Sequence, residues 1–345
     1  MPDRGRAMSE RKSATSPAGL PGRTGAPRPL ADRLGPWGPA LVLAGLVVLF
    51  SLANPRFLDV GNFARIAIAA VPALMVAVGV SFIIIMGSID LSMEGTISTT
   101  AVLFAIAFNA WGATLAGPGV AAIALAVLAG AAIGLANGLV HVRLRIPSFM
   151  ASLAVGFVGM GLSVVLTSGD IVRVNDDLFR ALLFERVLDL PLMLYAAVLL
   201  VLLAWFIQRN TMLGRHFYAV GGGEDQAHAS GLDVERVRIL GFTLAGVFYA
   251  FAALFAVARG GMAESLTGTS HMFLAITAVV VGGTSLMGGV GGVWQTVVGV
   301  LIVYTIGNGM VVMGLPNYVQ DGVLGVLVIG AVALATNRRR AALVK

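Results

Sequence analysis

The sequence has no cysteine and only two lysines, Lys12 and Lys345, and long stretches of it carry no charge of either sign. Without cysteine there is no disulfide framework, no thiolate metal site and no thiol nucleophile. Without an internal lysine there is no Gly-x4-Gly-Lys-Ser/Thr loop, so the chain does not cradle nucleotide phosphates in that way. Residues 66–89 and 95–140 contain no Asp, Glu, Lys, Arg or His, and neither does the 49-residue run 272–320. The four histidines, at 141, 216, 228 and 271, are scattered at span or loop ends, and no His-Glu-x-x-His is present. That leaves no metal-ligating set and no nucleophile–base pairing for a membrane enzyme.

What remains is strongly apolar. Hydrophobic residues make up 58% of the chain and charged residues 12%, against roughly 25% charged in a soluble domain. The 44 glycines suit close helix packing in lipid. A helix needs about 20 apolar residues to cross the hydrocarbon core. On that measure the chain is an all-α polytopic membrane protein of about ten transmembrane helices. They fall near 37–53, 66–87, 95–111, 119–140, 148–167, 191–208, 239–258, 272–287, 293–313 and 319–336, with a break at Gly282–Gly292. Ten spans can divide into two inverted halves of five, because an odd number of crossings reverses direction.

The net charge of +6 does not indicate nucleic acid here, since most basic residues lie in tails and short loops, where they act as topology signals. With the N-terminus inside, 17 of the 23 lysines and arginines fall in inside segments and six outside. This predicts cytoplasmic N- and C-termini. Residues 1–36 form a basic, Pro/Gly/Ser-rich tail expected to be disordered, residues 37–336 the membrane domain and residues 337–345 a second basic tail. The outside loop 168–190 holds a short amphipathic segment at 177–188. The inside loop 209–238 is charged, bends at glycines 221–223 and offers two helical turns at 224–230, stopped by Gly231.

Residues 87–95, Gly-Ser-Ile-Asp-Leu-Ser-Met-Glu-Gly, place Asp90 and Glu94 between two charge-free stretches. Charge near hydrocarbon is costly and its position needs a reason. Helix capping, an inside gate and contact with a partner subunit all fit. The spans otherwise offer only neutral polar groups, such as Asn109, Asn137, Thr167, Gln295, Tyr304 and Asn308. These suit either interhelical hydrogen bonds or the path of a neutral, hydroxylated solute. The lack of mid-span charge argues against an ion-coupled carrier, so the driving energy must enter elsewhere. The charged 209–238 loop has the form of a docking element for a cytoplasmic motor, the alternative being a solvated loop.

Several blocks in order carry a family resemblance. Gly87 through Gly95, with Asp90, Leu91 and Ser92, resembles a motif of the ribose-type permeases of ABC importers, which belong with the branched-chain amino acid permeases. Asn137-Gly138 followed by Ile146-Pro147-Ser148-Phe149, Thr211 through Arg215, Tyr218 through Gly222, and Ala278 through Gly291 are similar to further blocks. The last contains Gly282, Gly283, Thr284 and Ser285. The chain departs from the pattern at Met93-Glu94, where Val-Gly is usual, and at Gly223, where Asn is common. The resemblance implies a type II ABC importer permease fold in a bacterial inner membrane, without an ATP site or cofactor of its own. It implies a paired or homodimeric permease, two cytoplasmic ATP-binding subunits and a periplasmic or lipid-anchored sugar-binding protein. Ala227 through Gly231 resembles the coupling segment, so that Glu224, Asp225, Gln226, Ala227, His228, Ala229, Ser230 and Gly231 would carry the contact with the ATP-binding subunit, and the solute would be a ribose-, xylose- or galactose-like sugar. Another neutral solute such as a nucleoside, or a facilitator without a motor, is the competing reading.

Overall fold

A computed structural model describes residues 37–188, 190–269 and 271–335. The two tails, and Asp189 of the outer loop, lie outside the described residues. The chain folds into helices α1 (Gly38–Ala53), α2 (Val60–Ile85), α3 (Met93–Ala110), α4 (Val120–Arg143) and α5 (Ser148–Thr167). They are followed by α6 (Asp177–Phe184), α7 (Leu192–Asn210), α8 (Met212–Gly222), α9 (Glu224–Ala229), α10 (Val234–Gly260), α11 (Met272–Val281), α12 (Val293–Val312) and α13 (Asn317–Ala335). Two small antiparallel ribbons complete it: β1 (Val172–Arg173) pairs with β4 (Met262–Ala263), and β2 (Arg186–Val187) with β3 (Leu190–Pro191).

Among the described residues six helices are long and apolar enough to cross a membrane, namely α2, α4, α5, α7, α10 and α12, and α1 and α11 are shorter apolar helices. Helix α2 is the axis of the bundle: 83% of its most apolar window is buried, against 28% for α4, α5 and α7. The outer faces of those three helices expose Leu128, Phe157, Val165 and Leu199, as a lipid-facing surface does.

Charge-free windows mark hydrocarbon, not helix length, and this explains where the helices outrun the sequence-based spans. Helix α2 starts at Val60, not near 66, because the Asp59 carboxylate caps it by accepting from the Gly61 N–H. Helix α10 starts at Val234, not near 239, because Asp233 accepts from the Arg236 N–H. Helix α11 stops at Val281, short of 287, since the glycine-rich 282–292 segment leaves the helix. The amphipathic segment of the outer loop is helical only over α6, where Asp176 caps Phe179 and the Phe179 ring packs on Phe104 and Phe108.

Two glycine seams set the closest helix crossings. Gly130, Gly134 and Gly138 recur on one face of α4 and meet α10, where a Cβ at Gly246 would overlap the Gly130 carbonyl oxygen. In the same way, a Cβ at Gly95 of α3 would overlap the Gly156 carbonyl of α5. Small residues let backbones approach where lipid supplies no hydrophobic drive between helices. Gly246→Leu should therefore lower the unfolding midpoint in detergent, by about 1–3 kcal/mol or more for forced overpacking. Gly161→Leu, at a glycine with no atom within 4 Å of its Cβ position, should leave the midpoint unchanged.

Candidate functional site

The site is built around two interruptions of the helical bundle, residues 86–92 between α2 and α3 and residues 282–292 between α11 and α12. In the first, the chain turns at Gly87, whose φ of 75° suits glycine. Two N–H groups of this break on the α5 side are taken by serines at the start of that helix. Ser148 Oγ accepts from the Ile89 N–H at 3.0 Å and Ser152 Oγ from the Leu91 N–H at 2.9 Å.

Asp90 is 1% exposed and forms no ion pair among the described residues. Its carboxyl group is held by hydrogen bonds. Oδ1 accepts from the Ser92 N–H (2.8 Å), the Ser92 hydroxyl (2.7 Å) and Asn137 Nδ2 of α4 (3.2 Å). Oδ2 accepts from the Tyr249 hydroxyl of α10 at 3.0 Å. Asn137 also donates to Ser92 Oγ at 3.1 Å. The capping reading of Asp90 is thus replaced. The N-cap position of α3 is Ser92, with no side-chain cap bond, and Asp90 instead closes a two-residue turn and ties the break to α4 and α10. Glu94 lies in the first turn of α3, half-buried, with its backbone against Gly268.

The second break is a chain of tight turns with positive φ at Gly283, Gly288, Gly289 and Gly291. The Ser285 N–H donates to the Val290 carbonyl, the Met287 N–H to Ser285 Oγ, and Thr284 is fully buried. The two breaks touch: the Gly289 N–H donates to the Ile85 carbonyl at the end of α2 at 2.9 Å. Gly221, in the last turn of α8, is wedged into this contact. A Cβ there would overlap the Ile85 carbonyl oxygen and lie 2.6 Å from the Gly289 nitrogen. A polar cluster reinforces the junction. Gln208 at the end of α7 bonds the Tyr218 hydroxyl, the Tyr218 hydroxyl donates to the Gly291 carbonyl at 2.6 Å, and Gln208 Oε1 accepts from the Val293 N–H at 3.0 Å.

Directly after the wedge, Gly223 swings the chain into α9, which presents Glu224, Asp225, Gln226, His228 and Ala229 outward and buries only Ala227. Ser230 bonds back to the Ala227 carbonyl, and Gly231, with φ of 86°, ends the helix. Glu224 pairs with Arg238 of α10 at 2.7 Å. Between α9, the start of α10 and the α4–α5 turn lies an open groove of about 820 Å³, edged by Asp225, His228, Asp233 and Glu235 and by Arg145 and His141.

The residues expected along a pathway do not converge. Asn137 belongs to the Asp90 cluster, and Gln295 lines a cavity at the start of α12. Asn109 bonds the Arg173 carbonyl beside the β1–β4 ribbon, and Asn308 accepts from Asn62. Tyr249, Gln208 and Tyr218 were not singled out by spacing. Their signal was the rarity of a hydrogen-bonding side chain inside or just at the end of an apolar span.

Each buried donor left without an acceptor costs about 1–3 kcal/mol. Asp90→Ala removes the acceptor of the Ser92 N–H, the Ser92 hydroxyl and the Tyr249 hydroxyl, while Asn137 keeps its bond to Ser92 Oγ, and is expected to destabilise the fold by at least about 3 kcal/mol. Asp90→Asn, which retains an acceptor oxygen, should be the milder change. Unfolding midpoints of the two variants in detergent check this; an alanine variant as stable as the native chain would contradict it.

The family model described as branched-chain amino acid transport system / permease component matches residues 62–332. The ribose import permease protein of Escherichia coli (strain K12) is 32% identical over 308 residues, 87% of this chain and 93% of that protein. The ribose import permease protein of Bacillus subtilis (strain 168) is 34% identical over 300 residues, 86% and 91% of the two chains. The D-allose transport system permease protein of Escherichia coli (strain K12) is 31% identical over 301 residues, 86% and 90%. No solved structure matches. With a family model covering most of its length and relatives above 30% identity across nine-tenths of theirs, the chain belongs to the branched-chain amino acid transport system permease component family.

Proposed function

We propose that the chain is the membrane-spanning subunit of an ATP-driven importer of a neutral monosaccharide, of the kind named for its ribose, allose and arabinose relatives. The observation that carries this reading is the seating of α9. A short charged helix outside the bundle hangs from α8, and α8 reaches through Gly221 to both helix breaks at once. A push on α9 is thereby delivered to the ends of α2 and to the segment between α11 and α12.

In this reading α9 and its groove receive a separate ATP-hydrolysing subunit, one for each of two paired permeases, and a sugar-binding protein delivers solute at the opposite face. Binding of ATP opens the path outward and hydrolysis opens it inward. The groove and α9 face the cytoplasm, which puts both termini there after ten crossings: α1 to α5, α7, and α10 to α13. Division after α5 gives two inverted halves. Their second helices, α2 with 26 residues and α10 with 27, are both long and pack together at Gly79 and Tyr249. The match supports an inverted repeat and a type II importer fold. A sugar suits the described spans because their buried polar groups are mostly hydroxyls and amides, such as Thr96, Ser98, Thr99 and Thr100 on α3. An amino acid would bring two charges that these groups do not neutralise.

The test is sugar uptake and ATP hydrolysis by the assembled importer carrying Glu224→Arg with Asp225→Arg. Uptake is expected to fall at least tenfold, since two acidic contacts become repulsive, while the permease still reaches the membrane. Unchanged uptake would refute α9 as the coupling element. Sugar flux through the purified chain alone in liposomes, without ATP or other subunits, would instead favour a facilitator.

A further inference from the structure

A second cavity, of about 660 Å³, opens at the same end of the bundle as α9 but on another side of it. Its walls come from the start of α1, the last turns of α7, the first two turns of α8 and the start of α12. The lining contains two arginines, Arg209 and Arg215, and no acidic residue. Neither arginine has an ion-pair partner among the described residues. Three of the protein's four tryptophans, Trp37, Trp205 and Trp294, line the cavity, with the Trp205 and Trp294 rings 6.5 Å apart. Tyr218 and Gln295 add a hydroxyl and an amide.

This combination has a definite chemistry. Paired guanidinium groups recognise phosphate oxygens. Tryptophans at helix ends favour the boundary where headgroups meet hydrocarbon. A basic pocket between membrane helices at the cytoplasmic face suits an anionic lipid headgroup.

We infer that this cavity binds a phosphate-bearing group, and that its occupant is an anionic phospholipid of the cytoplasmic leaflet, held by Arg209 and Arg215 between Trp205 and Trp294. Gly282 and Gly291 of the second break also line the cavity, so the lipid sits against the junction that Gly221 closes. The cytoplasmic placement of the lipid rests on the orientation proposed above. The binding itself is measured without transport, so failure here leaves the importer reading intact and failure of that reading leaves this one.

The tryptophans supply the probe. The full chain is placed in vesicles of phosphatidylcholine containing brominated phosphatidylglycerol or, at equal fraction, brominated phosphatidylcholine. Excess quenching by the anionic lipid is expected in the native chain. Arg209→Ala with Arg215→Ala should weaken the lipid's apparent affinity about 30-fold, the effect of two basic residues at a lipid surface. Arg338→Ala with Arg339→Ala, which removes equal charge from the C-terminal tail, should retain the excess. Inorganic phosphate that displaces the quenching would keep the phosphate chemistry and assign the site to a soluble anion. Equal quenching by the two lipids in the native chain, a measurement that needs no variant, would overturn the proposal. So would an excess that survives in the double alanine variant.

Discussion

The backbone contact among Ile85, Gly221 and Gly289 is the constraint on which the rest of the structure depends. Helix α2 ends there, the second break turns there, and α8 arrives there, with room at the meeting point for hydrogen but not for a methyl group. A packed core is not continuously deformable. Three elements in backbone contact cannot shift independently by even a fraction of an ångström without separating. Because α9 follows Gly223 directly, the charged exterior of the protein and the interior of its bundle are joined by a single turn of chain. Family membership and the proposed ATP-driven import both become mechanical statements at this point.

Asp90 serves the same end by a different means. A carboxylate placed among apolar helices is expensive, and here the cost is offset by four hydrogen bonds from α3's leading serine, α4 and α10. The Tyr249 bond is the most informative, because it joins the first break to the middle of α10 across a long sequence separation. The first break is therefore held on both flanks, by α5 serines on its backbone and by the Asp90 cluster on its side chain. The second break is held by Tyr218 and Gln208. Neither is a slack loop.

Much of this was legible in the sequence. The membrane class followed from missing charge, and the two breaks from the carboxylates Asp90 and Glu94 and a glycine run inside otherwise apolar stretches. The two helical turns expected at 224–230, between the bend at glycines 221–223 and Gly231, form over Glu224–Ala229. Helix ends were less legible: Asp59 and Asp233 are capping residues outside the hydrocarbon, and a hydropathy window discards them with the loop. Helix α8 was read as part of a loop because its glycines suggested bending. In the fold Gly214 and Gly221 instead provide close approach to Gln208 and Ile85. The local meaning of Asp90, for which capping, an inside gate and partner contact all fit the sequence, stays open there for a related reason. Capping is a short-range pattern, whereas its partners Asn137 and Tyr249 are brought to it only by the helix crossings. Asn109, Asn137, Gln295 and Asn308 look equivalent in sequence, yet the fold separates them.

The central claim is that α9 drives the bundle through the Gly221 contact. Its most direct measurement is the ratio of sugar imported to ATP hydrolysed by the assembled transporter carrying Gly221→Ala. A methyl group at that position must part α8 from Ile85 and Gly289 while leaving every charged residue of α9 in place. The account predicts that ATP hydrolysis continues and the ratio falls at least severalfold. A Gly221→Ala transporter with the native ratio would contradict it.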